Sequence, residues 1–193
     1  MGQRLYADFF AAPVLDAALA LHMLSRASVI VFALLIILVL SVRRPPIARS
    51  PGILPKLVAF GGAFSLSLLG LFEPVPQSMA VSVASLVLIC IGYAFACYSL
   101  LYLGRSLSLL AEARKLVTTG PYAIVRHPLY TAYAIGSLGL LLQYLSPATL
   151  ALWLVHIALQ LGRIRYEEII LRQAFPEYAD YSRRVARLIP AVH

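Results

Sequence analysis

Charge is what this sequence has least of. Only 12% of its 193 residues are charged, and eight acidic residues stand against sixteen basic ones. A soluble domain carries about 25% charged residues. So little polar surface cannot cover a soluble globule. The 61% hydrophobic content and the mean hydropathy of +0.86 point to an integral membrane protein. Cysteine is scarce too. Cys90 and Cys97 lie seven residues apart in one apolar run. On a helix they sit two turns apart, too far for a disulfide, and they match no zinc spacing. They are expected to be buried free thiols. The histidines, His22, His127, His156 and His193, are scattered and form no metal set. The N-terminus lacks the basic region and clean apolar core of a signal peptide, because Asp8 and Asp16 fall there. No internal repeat or low-complexity segment is visible. The net charge of +8 reads as contact with anionic headgroups rather than with nucleic acid.

What the chain does have is apolar runs separated by prolines and arginines. Residues 1–12 read as a short lead-in, with Tyr6, Phe9 and Phe10 suited to a membrane interface. Residues 13–42 read as one long tilted span, or as an interfacial helix leading into a span. Arg43-Arg44-Pro45-Pro46 ends it. Further spans are expected at 56–72, 78–103, 129–142 and 147–161. The second is rich in Gly and Ser, which favours close helix approach in lipid. The last two are short for a bilayer of about 30 Å, and are expected either to tilt little or to borrow flanking residues such as Arg126 and Arg163 that snorkel to the surface. An amphipathic helix from Arg163 to about Ala174 and a polar helix over 177–188 follow. The fold class is all-α and membrane-integral, with about five transmembrane helices. Residues 1–103 form the N-terminal spans, and 104–193 a catalytic region with a cytoplasmic cofactor-binding part.

Charge placement sets the topology. Basic residues crowd the loop 43–56, the connector 104–128 and the tail from Arg163, while the turns 73–77 and 143–146 carry no Lys or Arg. The positive-inside rule makes the basic face cytoplasmic. Five spans then put the N-terminus outside. The hairpin of the last two spans should bring Arg126-His127 near Arg163 to Glu168 at that face. Arg105, Arg172 and Arg183 read as ordinary interfacial anchors. Arg126, His127 and Glu167 read as a functional set, because charged groups at membrane depth are costly unless paired or used. His156 reads as a buried polar group within the fifth span.

These residues carry a resemblance. Leu116-Val117-Thr118-Thr119-Gly120-Pro121-Tyr122, Arg126-His127-Pro128-Leu129-Tyr130, Glu167-Glu168 with Leu171, Glu177-Tyr178-Ala179-Asp180-Tyr181 and Pro190 resemble the isoprenylcysteine carboxyl methyltransferase family. That family in turn resembles the phospholipid N-methyltransferases. The likeness covers roughly residues 100–190. It implies an S-adenosyl-L-methionine site on Lys115, Leu116, Val117, Tyr122, His127, Pro128, Leu129, Tyr130 and Glu167. It implies a lipophilic or lipidated acceptor, with Arg163 as its contact, and surrounding membrane lipids. No nucleic-acid or metal partner is expected. The candidate catalytic set is Arg163, Glu167 and Glu168. Arg114 stands where eukaryotic members carry a histidine, and its role is left open. A carboxylate acceptor needs no base. An amine or thiol acceptor would be helped by Glu168 or His127. Three other readings stay open: a phospholipid amine N-methyltransferase, a nicotinamide-dependent membrane reductase, and a non-enzymatic membrane binding protein that keeps the fold.

Overall fold

The computed structural model describes residues 17–190, without the side chains of residues 17–22 and 25. The lead-in with Tyr6, Phe9 and Phe10, the Asp8 and Asp16 positions, the His22 side chain and His193 lie outside the described residues. Helix α1 (Ala17–Ser41) stops just before Arg43-Arg44-Pro45-Pro46. Helix α2 (Leu54–Phe64) opens with a proline in its first turn and tightens into a 3₁₀ stretch, Ser65–Leu71. Helix α3 (Met79–Leu103) is capped by Ser78, whose Oγ accepts from Val81 N at 3.4 Å. Gly104, at φ 49°, lets the chain turn away from it. Helix α4 (Pro128–Gln143) begins on a proline. Helix α5 (Pro147–Ala174) begins in a reciprocal cap, with Thr149 N donating to Ser146 Oγ and Ser146 N to Thr149 Oγ1. The short helix α6 (Tyr178–Arg184) follows.

The molecule is an all-α integral membrane protein. Among the described residues, Leu54–Leu71, Met79–Ser106 and Pro147–Ala174 are long and apolar enough to cross a bilayer. The apolar part of α1, Arg26–Ser41, is shorter, and α4 has 16 residues. The reading of five spans counts these two as well. Large apolar side chains such as Leu34, Ile37, Leu38, Leu57, Phe60 and Leu154 are exposed, as lipid-facing groups must be. The interior core joins Phe32 and Val39 of α1, Ala96 and Leu100 of α3, and Leu129 and Ala132 of α4.

Three expectations need correction. The last span does not end at Leu161. Helix α5 runs unbroken for 28 residues through Arg163 and both glutamates, because nothing in that stretch removes a backbone donor before Pro176. The polar helix expected over 177–188 is limited to Tyr178–Arg184, and the chain beyond is extended at Val185. Cys90 and Cys97 are free, but half-buried rather than buried. Close approach was expected in the second span, and it is found there. Gly61 and Gly62 do face α5, yet the tightest helix contact is α3 on α4. A Cβ on Gly92 would lie 2.5 Å from Gly136 N, and one on Gly139 would lie 2.6 Å from Ser85 O.

The two ends of the bundle differ. At one end, strand β1 (Ala48–Arg49) pairs antiparallel with β2 (Glu112–Ala113). Arg44 N also donates to Arg105 O, joining the loop 43–56 to the connector. The tail adds itself there, with Arg126 N donating to Ala186 O and His127 N to Arg187 O. At the other end the two turns without Lys or Arg meet, Val75 N donating to Gln143 O. The basic segments thus share one face.

Candidate active site

Helix α5 presents His156, Gln160, Arg163, Glu167 and Leu171 to a cavity of about 760 Å³. These positions recur every three or four residues and form one stripe. The facing wall comes from α4 through Leu129, Tyr130 and Tyr133, and from the connector through Lys115, Leu116, Val117 and Tyr122. An apolar part of the lining comes from α1 (Phe32, Ile36, Leu40), Leu66 and Ala96. One space therefore has a polar wall and a hydrocarbon wall.

Glu167 accepts a hydrogen bond from the Tyr130 hydroxyl and lies 3.9 Å from His127 Nδ1. His127 is buried at the start of α4, and its other nitrogen, Nε2, lies 3.3 Å from Glu168 Oε1. The imidazole thus stands between the two carboxylates. Its ring meets Tyr130 edge-on, centroids 5.7 Å apart. The Arg163 guanidinium sits 5.3 Å from the centre of the Tyr130 ring. Its Nη1 donates to Gln160 Oε1 and its Nη2 to Leu109 O.

Glu168 belongs to a different structure. It does not line the cavity. Its carboxylate lies 3.2 Å from Arg126 Nε, 2.8 Å from Arg187 Nη2 and 3.5 Å from Arg172 Nη2, besides His127. Arg126 reaches on to the carbonyls of Ser182 and Val185. Thr131 Oγ1 donates to Leu188 O. The cluster straps the tail onto the loop that carries His127. Arg172, expected as a plain anchor, is part of it.

The tyrosines of this region keep their hydroxyl protons, and the buried Tyr178 hydroxyl has no partner among the described residues. Burial and then the nearby Glu167 charge push Tyr122 well above its ordinary range. Burial and then Glu168 do the same to Tyr178. Tyr181, pushed up to about 12 by burial, donates its hydroxyl to Tyr122 O at 2.6 Å. Pro128 supplies the first turn of α4 and does not line the cavity. Arg114 does line it. Its Nη2 donates to Glu112 Oε2 at 2.6 Å, and its buried Nε has no partner among the described residues.

A model of the phospholipid methyltransferase family matches residues 80–178, from the start of α3 to the first residue of α6. The chain belongs to this family. Over 129 residues it is 33% identical to protein-S-isoprenylcysteine O-methyltransferase B of Arabidopsis thaliana, covering 63% of this chain and 66% of that protein. A probable protein-S-isoprenylcysteine O-methyltransferase of Oryza sativa subsp. japonica is 32% identical over 129 residues, 63% of this chain and 68% of the relative. The cobalt-zinc-cadmium resistance protein CzcN of Cupriavidus metallidurans is 43% identical over 76 residues, 39% of this chain. The chain spans 35% of that protein, and 38% of the related NccN of Alcaligenes xylosoxydans xylosoxydans.

The matched phospholipid methyltransferase segment holds every expected site residue. The structure gathers Lys115, Leu116, Val117, Tyr122, His127, Leu129, Tyr130, Arg163 and Glu167 on one cavity. Sequence reasoning did not count Gln160 among them, and it gave His156 only a packing role. Their signal was the spacing 156, 160, 163, 167, 171, a polar and then apolar stripe on one helical face.

Proposed function

We propose that this protein is a membrane methyltransferase that uses S-adenosyl-L-methionine. Its acceptor is a lipophilic thioether acid of the isoprenylcysteine kind, methylated on its carboxylate. The observation that carries this is the single cavity with Glu167 and His127 on one wall, hydrocarbon side chains on another, and Arg163 between them. The names of the plant relatives support the same acceptor class.

The donor set fits the cofactor. Glu167 accepts hydrogen bonds from an ammonium or a ribose hydroxyl. Tyr122, His127 and the backbone at Lys115, Leu116 and Val117 would hold its remaining polar groups, and Leu129 would supply apolar lining. Bound there, the cofactor supplies an electrophilic methyl group on a sulfonium. Arg163 receives the acceptor carboxylate through a charge-assisted hydrogen bond. In-line displacement by a carboxylate needs no base, so alignment of the two ligands carries most of the rate. Glu168 acts by positioning, since it keeps Arg126 and His127 in place. The basic face is the cytoplasmic one.

Calorimetry of the purified protein with the cofactor and its demethylated product tests the first half. Transfer of labelled methyl to an S-farnesylated cysteine acid, against a phosphatidylethanolamine, tests the second. Saturable binding with transfer to the acid is expected. Binding of a nicotinamide cofactor instead, or transfer to the amine lipid alone, overturns the reading. Cysteine labelling at Ser108 and Ser182, in a background lacking Cys90 and Cys97, should report both from the cytoplasmic side.

A further inference from the structure

Long cationic side chains near a membrane face ordinarily snorkel out to the headgroups, and one expectation had Arg163 do so. It is instead 8% exposed. Side chains lean toward the N-terminus of their helix, and for α5 that is the Pro147 end, beside the turns without basic residues. Arg163 Nη1 donates to Gln160 Oε1 at 3.1 Å, one turn deeper along the same helix. The cation is held from the inside.

The hold is a run of hydrogen bonds with one self-consistent direction. Gln160 Nε2 donates to Gly62 O at 3.3 Å and to His156 Nε2 at 3.4 Å. With Nε2 accepting, a neutral imidazole carries its proton on Nδ1, which then donates to Ser65 Oγ at 2.8 Å. Ser65, His156 and Gln160 are all buried. At about 1.5 Å per residue the run reaches about 10 Å down α5 from Arg163 to His156. Both ring nitrogens of His156, and both the amide oxygen and nitrogen of Gln160, are engaged within the protein. These groups are therefore committed to holding a neighbour rather than to a ligand.

Gly62 of α2 completes the arrangement. A Cβ there would lie 2.7 Å from Arg163 Cδ and 3.2 Å from Gln160 Oε1. The arginine stem passes through a notch that only glycine leaves. No ion pair among the described residues includes Arg163. Glu167 acts on the Arg163 charge through space without closing an ion pair.

We propose that Gln160, backed by His156 and Ser65 and admitted by the Gly62 notch, is a positioning residue that sets the depth of the Arg163 guanidinium. It thereby sets the depth at which the carboxylate of a lipophilic acceptor docks. The proposal rests on the methyl-transfer reading above, in which Arg163 receives that carboxylate.

Two readouts test it in the full-length protein. The first needs no activity: modification of Arg163 by phenylglyoxal, followed by mass spectrometry. It should be slow in the parent protein and about tenfold faster in Gln160→Met and Gly62→Ala, the factor that one hydrogen bond to a charged group supplies. The second is kinetic. The KM for an S-farnesylated cysteine acid should rise about tenfold in both variants. It should rise further in Gln160→Glu, whose carboxylate pairs with Arg163 and competes with the acceptor. The cofactor Kd should stay within about twofold in all three, since Gln160 and Gly62 touch no group assigned to the cofactor. Unchanged Arg163 reactivity in both Gln160→Met and Gly62→Ala overturns the proposal. So does a fall in cofactor affinity in step with the rise in KM, which marks a general packing role. If the parent protein methylates no carboxylate acceptor, the functional reading fails, and the phenylglyoxal arm still decides whether Gln160 and Gly62 hold Arg163.

Discussion

Glu167 and Glu168 are neighbours in sequence and opposites in use. About 100° of helix rotation separates them. Glu168 is 2% exposed, and its carboxylate is surrounded by Arg126, His127, Arg172 and Arg187. Glu167 keeps an open side toward the cavity and is anchored by the Tyr130 hydroxyl. The same contrast holds between Arg126, which is committed to Glu168 and the tail carbonyls, and Arg163, which forms no ion pair among the described residues. A charge consumed inside the fold supports architecture, and a charge left without its counter-ion is available to a ligand. The helical face decides which, not the residue type.

The comparison breaks most readily at Glu168. Glu168→Ala leaves Arg126 without its acid and His127 with Glu167 alone, and loss of one partner in a buried pair costs about 3 kcal/mol or more. A large fall in thermal midpoint in detergent is expected, with cofactor binding lost alongside it. A stable Glu168→Ala protein that binds normally would dissolve the distinction. Arg163→Ala comes next. Removal of one side of a hydrogen-bonded charge pair costs about 2–5 kcal/mol, so the acceptor KM should rise about a hundredfold, or turnover should vanish. Cofactor affinity, measured on the same variant, should hardly move. Glu167→Gln follows, with cofactor Kd weakened about tenfold and thermal midpoint nearly unchanged. If Glu167→Gln instead loses stability at unaltered affinity, the two glutamates have been assigned the wrong way round.

The smallest effect belongs to the strap. Tyr181→Phe removes the hydrogen bond to Tyr122 O, worth about 1 kcal/mol. Burial pushes this phenol up from its ordinary 10.0 to about 12. A group raised in the folded state stabilises below its unfolded value and loses that contribution as pH climbs through the folded one. Stability should therefore hold up to about pH 10 and decline toward about pH 12. Thermal melts across that window should show a shallower decline for Tyr181→Phe than for the parent protein.

The residues of the site were more legible than its supports. The motif around His127 and the glutamate pair were readable because polar residues stand out in an apolar chain. The break expected after Leu161 arose because hydropathy falls at Arg163, whereas backbone hydrogen bonding continues regardless of side-chain charge. The β1–β2 pairing joins residues more than sixty apart, and no local pattern announces such a register. The Gly92–Gly136 contact depends on how two helices are rotated against each other, which a list of small residues does not fix. Gln160 escaped notice for a related reason. A lone amide in an apolar helix has no distinctive chemistry until its neighbours at 156 and 163 are known to share its face.

The strap between residues 125–127 and 182–188 also bears on biosynthesis. Chains emerge from the ribosome N-terminus first, so helices α1 to α5 all leave the ribosome before Ser182 does. Until the tail arrives, Arg126 lacks the Ser182 and Val185 carbonyls, His127 N lacks Arg187 O, and Glu168 lacks the Arg187 guanidinium. The loop that carries His127 is thus latched only after the helices around it have emerged. A chain cut before Ala186 keeps all five long helices but lacks the backbone and side-chain bonds that latch the His127 loop.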